Sequence, residues 1–136
     1  MKEIGTYLNF DGNCREAMTF YASGLGLDLQ MTPFSDMPGD RLKEAGDRIM
    51  HARLTKGPAA LLMASDTMPG MPFHPGNNFS VSVACESLEE IERVFGALSE
   101  GGKITMPLAD QFWGARFGML VDRFGIQWMF TFEHPK

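Results

Sequence analysis

His51, Asp110 and Glu133 are the side chains of this chain that could pass protons to and from a substrate. An imidazole and two carboxylates are the usual groups of general acid–base chemistry, provided each reaches the proton it moves. A second set of residues is suited to recognition. From Met106 to Phe132 the chain reads MPLADQFWGARFGMLVDRFGIQWMFTF. That stretch holds Trp113, Arg116, Phe117, Trp128 and Phe130, broken by Gly114, Gly118 and Gly125. Aromatics at this density, beside an arginine and turn glycines, predict two strands that wall a pocket. Tyr7, Trp113 and Phe117 have ring faces to stack on a planar ligand, and would serve equally well in a core. Asp110 and Arg116 flank the Phe112-Trp113-Gly114 turn. They either form a polar pair for a ligand or pin the turn by hydrogen bonding, and the second is expected. Asp122, Arg123 and Gly125 read as a hairpin turn.

The elements that position these residues repeat. With the chain slid on itself by about 75 residues, Leu8 meets Val83, Phe20 meets Phe95 and Met31 meets Met106. Ile4–Phe10 is a strand-like run. Asn13-Cys14-Arg15-Glu16 then reads as a capping box, followed by Cys14, Ala17, Met18, Tyr21 and Leu25 at helical spacing. Gly24 and Gly26 stop that helix. In the second half Phe79–Cys85 is a strand, and Ser87-Leu88-Glu89-Glu90 is again a capping box. Leu88, Ile91, Val94, Phe95 and Leu98 form its stripe, stopped by Gly101 and Gly102. Strand candidates follow each helix: Leu27–Thr32, Arg48–Thr55 and Ala59–Ala64, then Lys103–Met106, Ala115–Val121 and Ile126–Phe132. Each half is therefore βαβββ, and the fold class is α+β. The chain reads as a single domain over residues 1–136, with modules at roughly 1–66 and 77–134. The Pro- and Gly-rich loops Pro33–Asp47 and Asp66–Asn77 are either lids or plain surface connections.

Strand alternation then sorts the candidates by face. The first strand buries Ile4, Leu8 and Phe10 and turns Gly5, Tyr7 and Asn9 away. The strand at 79–85 buries Phe79, Val81 and Val83 and turns Asn78, Ser80 and Ser82 away. The last strand buries Trp128, Phe130 and Phe132, leaving Gln127, Met129, Thr131 and Glu133. These second faces are polar but almost uncharged.

Composition narrows the function classes. The chain has 136 residues, with Lys+Arg 12 against Asp+Glu 17, a formal charge of −5. That balance argues against a nucleic-acid partner, because phosphate binding needs clustered positive charge. No run of eighteen apolar residues exists, so no membrane span is expected. The start lacks the apolar core of a signal peptide. Cys14 and Cys85 match no metal or redox spacing and read as small buried residues in a reducing cytoplasm. No G-x-S-x-G elbow supports a serine triad, and no G-x-G-x-x-G follows a strand. Met is abundant, at 11 residues, which suits an irregular core or an adaptable pocket.

Met106-Pro107-Leu108, Asp110, Phe112-Trp113-Gly114, Arg116-Phe117-Gly118, Asp122, Phe124-Gly125 and Trp128 together resemble the signature of the PhnB-like branch of the glyoxalase/bleomycin-resistance (vicinal oxygen chelate) superfamily. The resemblance implies curved mixed sheets around a cup, whose lining would include the second faces above. It implies a homodimer, with modules paired within or between chains. Metal-dependent members place His and Glu on four inward positions, which fall here near Gly5, Ala64 or Ser65, Asn78 and Met129. None is a His or a carboxylate, so no metal and no cofactor are expected, and His74 and His134 read as solvated. Some relatives carry names implying methyl transfer to a ubiquinone ring, but the chain has no nucleotide-binding module of the usual kind.

Two functions follow as expectations. The first is binding or sequestering of a small, partly apolar organic molecule by Tyr7, Asn9, Asn78, Ser80, Ser82, Trp113, Arg116, Phe117, Gln127 and Met129. The second is an enzyme on a small metabolite, by acid–base chemistry at Asp110, His51 or Glu133 or with metal assistance. The first is preferred, because the inferred cup face is poor in titratable groups.

Overall fold

The computed structural model describes residues 1–36 and 45–136. Its chain divides into two compact units, Met1–His74 and Pro75–Lys136. The first contains β1 (Tyr7–Phe10), α1 (Cys14–Leu25), β2 (Asp28–Pro33), a 3-10 turn at Phe34–Asp36, β3 (Ile49–Lys56) and β4 (Ala59–Asp66). The second contains β5 (Val81–Ala84), α2 (Leu88–Ser99), β6 (Lys103–Asp110), β7 (Ala115–Val121) and β8 (Gln127–Glu133). Each unit is βαβββ, as the repeat predicts. The sheets run β1-β4-β3-β2 and β5-β8-β7-β6. In both, the first strand pairs parallel to the last, and the other pairings are antiparallel.

Each helix packs on one face of its own sheet. In the first unit Cys14, Ala17, Met18 and Tyr21 of α1 are buried, as are Leu8, Phe10, Ala52, Leu54, Leu62 and Ala64 on the strands. In the second, Ile91, Val94, Phe95 and Leu98 of α2 are buried together with Leu120, Trp128 and Phe130. These are the residues that the 3.6- and 2-residue periods select. Gly118 belongs to this packing. A Cβ there would sit 2.8 Å from the Leu108 side chain and 2.9 Å from the Phe95 ring. A glycine at this point of β7 lets α2 and β6 close on the sheet.

Several expectations fail locally. Ile4 is 88% exposed, because β1 begins only at Tyr7 and residues 1–6 lie outside the sheet. Phe79 is likewise exposed, since it precedes β5. Leu88, in the first turn of α2, is also exposed. Gly24 lies within α1, and the helix ends at Gly26 in the left-handed conformation, φ 70°. β6 runs four residues past the expected Met106, to Asp110. The Asn13 capping box does not form, because Asn13 makes no side-chain cap bond. Asp66 takes over that task from the end of β4. Its Oδ1 accepts from Gly12 N at 2.8 Å and Cys14 N at 3.0 Å, and its Oδ2 from Ile49 N at 2.8 Å. The Ser87 half of the second box forms, Ser87 Oγ accepting from Glu90 N, but Glu90 Oε1 accepts from Glu86 N, one residue before the Ser87 amide that a full box would use. Residues 37–44 of the loop Pro33–Asp47 lie outside the described residues. No helix among the described residues is long and apolar enough to cross a membrane.

Candidate functional site

Each sheet has a face turned away from its helix, and most of the candidate residues lie there. Register fixes which ones. On the first sheet Tyr7 stands opposite Met63, Met63 opposite Arg53, and Arg53 opposite Gln30. Asn9 stands opposite Ser65, and Thr32 opposite His51. Residues paired across strands share a face, so this face carries Tyr7, Asn9, His51, Arg53, Gln30 and Thr32. The Tyr7 hydroxyl is 3.3 Å from His51 Nδ1, with ring centroids 5.9 Å apart. Arg53 Nε donates to Gln30 Oε1 at 2.8 Å.

The second sheet presents a different surface. Met106 stands opposite Met119, Met119 opposite Met129, and Met129 opposite Ser82. One pair along, Ala109 faces Phe117, and Phe117 faces Thr131. Phe117, Met119, Met129 and Thr131 are half-buried and Ser82 is exposed. Gln127 ties the approach to β5, its Nε2 donating to Phe79 O at 2.6 Å. Asn78 and Ser80 lie in that exposed approach rather than in the strand. Glu133 is exposed at the end of β8, opposite Ala115.

The turn between β6 and β7 stands at the end of this sheet. Gly114 has φ 92°, and Gly114 N donates to Gln111 O at 3.1 Å. Trp113 is 54% exposed, its ring meeting Phe117 at 5.9 Å and Phe112 at 5.2 Å. Arg116 and Phe117 are adjacent on one strand, so they cannot share a face. Phe117 takes the open one. Arg116 takes the helix side, where its Nη1 donates to Glu92 of α2 at 2.7 Å and its Nε to Asp110 at 3.1 Å. The aromatic turn and its arginine are thus parted by the pleat. Asp110 and Arg116 meet across the base of the turn.

His134 is not a loose tail residue. Its Nε2 lies 2.7 Å from Asp110 Oδ1, and its backbone N donates to Gly114 O at 2.9 Å. Contact with Arg116 first, then His134, holds the Asp110 carboxyl down at about 2. A carboxylate so held is a poor proton acceptor near neutral pH. The thiols are pushed the other way: burial raises Cys14 to about 12 and Cys85 to about 11, with Asp66 and Glu90 adding to the effect. Neither is poised as a nucleophile. Asp122 is a buried support. It accepts from Phe124 N, Ile126 N and Trp128 Nε1, fixing the β7–β8 turn and the core indole together.

The positions at which metal-dependent relatives place ligands do not fit such an ion here. Ala64 is buried toward α1, Ser65 and Met129 lie on open faces, and Gly5 and Asn78 are exposed outside the strands. None offers an imidazole or carboxylate donor. No group of three or more His, Cys, Asp and Glu suited to a metal ion occurs among the described residues.

Comparison with known proteins decides the family. The family model described as 3-demethylubiquinone-9 3-methyltransferase matches residues 2–131. The chain belongs to this PhnB-like family. Protein PA1353 from Pseudomonas aeruginosa is 46% identical, with a TM-score of 0.85, covering 99% of this chain and 100% of that one. The PhnB protein from Bacillus cereus is 31% identical, with a TM-score of 0.72, covering 96% and 99%. A glyoxalase/bleomycin resistance protein/dioxygenase family enzyme from Burkholderia phytofirmans is only 12% identical but has a TM-score of 0.63, covering 95% and 98%. That likeness gives the PhnB-like chain its fold, the α+β glyoxalase/bleomycin-resistance fold. Within the fold, Arg53, Met63 and Met119 are open-face residues that the aromatic motif does not reveal. The two-residue period running on from Phe117 points to Met119, and the one running on from His51 points to Arg53.

Proposed function

We propose that this PhnB-like protein binds or sequesters a small, partly apolar organic molecule against the open faces of its sheets, with no metal or other cofactor. One observation carries the reading. Phe117, Met119 and Met129 lie side by side on a face that no helix of their unit covers, with the half-exposed Trp113 ring beside Phe117. Methionine and aromatic side chains adapt to irregular apolar shapes, and an aromatic contact adds about 0.5–1.5 kcal/mol beyond area burial. On that face Ser82 and Gln127 would add polar contacts, with Asn78 and Ser80 at its border; Tyr7 and Asn9 would offer polar contacts on the open face of the other unit. Arg116 and Asp110 would act indirectly, by fixing the turn that carries Trp113. The protein would work in the cytoplasm as a homodimer, since exposed apolar residues such as Phe112, Leu61 and Ile104 favour a partner chain. Light scattering at micromolar concentration should give a dimer unchanged by salt. A monomer throughout that range counts against it.

An enzymatic reading is favoured by one observation, the Tyr7–His51 contact on the first open face. There His51 would exchange a proton with the bound molecule. Asp110 is held as a carboxylate by two partners, and Glu133 stands at the strand end, so neither competes as base.

The test is to incubate the purified protein with a metabolite extract, re-isolate it and identify retained molecules by mass spectrometry. A retained compound recovered unchanged, and lost in Trp113→Ala and Phe117→Ala, is the expected result. Retention undiminished in both variants would refute the site. A compound recovered chemically altered, but unaltered with His51→Asn, would instead establish the enzymatic reading.

A further inference from the structure

The open face of the first sheet carries a guanidinium that no ion pair among the described residues neutralises. Arg48 is paired with Asp11, and Arg116 with Asp110 and Glu92. Arg53 is instead held by a neutral acceptor, the side-chain oxygen of Gln30. That bond uses Nε and orients the guanidinium plane, leaving both Nη groups to donate. Met63 stands on its other side. Asp28, the carboxylate of the same face of β2, lies farther along, opposite Thr55. His51 is two residues from Arg53 on β3, a Cα separation of about 7 Å. Its Nδ1 is engaged by Tyr7. In the tautomer where Tyr7 donates to Nδ1, the free Nε2 carries a proton and is a donor.

We propose that Arg53 and His51, positioned by Gln30 and Tyr7, form a subsite for the carboxylate of a small organic acid. The assignment rests on the binding reading above and names the chemical class of its ligand. The planar fork of a guanidinium matches a planar carboxylate. One full positive charge, on a chain of net charge −5, suits a monoanion better than a phosphate dianion. Met63, between Arg53 and Tyr7, gives the acid an apolar neighbour.

The experiment is a two-dimensional NMR titration of the full chain with sodium benzoate, benzamide and inorganic phosphate. Benzoate should shift the resonances of Tyr7, His51 and Arg53, with a Kd of about 1 mM for so small a probe. Benzamide should bind there at least about tenfold more weakly, as loss of a charge-assisted hydrogen bond implies. Arg53→Gln should abolish the difference, and Arg53→Lys should restore only part of it, because charge returns without the fork. The Arg53 side chain is exposed, so both variants keep the native spectrum. Equal binding of benzoate and benzamide at this face overturns the subsite. So does phosphate binding at Arg53 without benzoate, or benzoate shifts confined to Arg48 and Arg116. If benzamide leaves Phe117, Met119 and Met129 unmoved while benzoate reaches Arg53, the apolar reading of the second sheet falls and the carboxylate subsite stands.

Discussion

In the first unit the start of the helix is held by a carboxylate 52 residues away; in the second it is held by the serine just before it. The open faces differ as sharply. The first sheet shows Tyr7, Asn9, His51, Arg53 and Gln30, whereas the second shows Phe117, Met119, Met129 and Thr131. One topology, used twice, has become a polar surface and a soft apolar one. The shared part is the helix-side packing, which each half must keep to bury its own stripe. The free part is the opposite face, where alternation lets side chains change without disturbing the core.

The largest effect should separate the two tryptophans of the second unit. Trp128 is 1% exposed and its indole donates to the buried Asp122, whereas Trp113 is 54% exposed. Trp128→Ala should cost about 3–5 kcal/mol of stability in urea denaturation. Trp113→Ala should move the midpoint little yet weaken retention of an apolar ligand. A Trp113→Ala loss as large as that of Trp128→Ala would make the aromatic turn part of the core and remove the apolar face from the proposed site.

The two helix starts come next. Asp66→Ala leaves the amides of Gly12, Cys14 and Ile49 without their acceptor, in a region where Asp66 itself is 4% exposed. Each buried unsatisfied donor costs about 1–3 kcal/mol, so a loss of about 3 kcal/mol or more is expected. Ser87→Ala removes one exposed cap bond and should cost about 1 kcal/mol. Equal losses in the two variants would erase the distinction between remote and local support.

This contrast also explains what could be read from the sequence. The helices, the strand order of types and most of the core follow from local periods, because a 3.6- or 2-residue pattern is written in neighbouring residues. The Ser87 cap was legible for the same reason. The Asn13 box was not, because its replacement, Asp66, arrives through the β1–β4 pairing. Ile4 looked like a strand residue by alternation, yet alternation says nothing about whether a partner strand reaches that far. Arg116 was legible in principle, since its neighbour Phe117 must face the other way. The Tyr7–His51 and Gln30–Arg53 contacts join different strands, and only the register shows them.

A smaller contrast lies in the thiols. Cys14 is fully buried and Cys85 is 9% exposed, and burial raises them to about 12 and about 11. With a thiol-specific disulfide reagent at pH 8, both should react slowly in the native protein. Cys85 should react faster, by about tenfold if thiolate fraction governs. A thiol kept neutral in the fold contributes stability that is full below the ordinary thiol range. It is lost as pH rises from about 9 toward 11 and 12, because the unfolded chain releases its protons first. A faster Cys14 would show that α1 opens more readily than α2.

The smallest effect concerns the ion pairs. Asp110 is held by Arg116 and His134 together, while Asp11 of the first unit is held mainly by Arg48, with Thr67. Both carboxyls are therefore drawn below the ordinary carboxylate value, Asp110 to about 2. A depressed carboxyl adds stability that is present above its ordinary range and lost as pH falls, here from about 4 to about 2. Both groups are exposed, so salt and water screen the effect and the melting curve should shift little. NMR titration of the side-chain carboxyls reads it directly. Arg116→Gln should raise the Asp110 midpoint toward 3.8, the ordinary value. His134→Asn should raise it less, because the guanidinium is the larger influence. If His134→Asn had the greater effect, the terminal residues beyond β8 rather than the β6–β7 pairing would be what fixes the aromatic turn, and the Trp113 ring would be displaced by trimming the last residues of the chain.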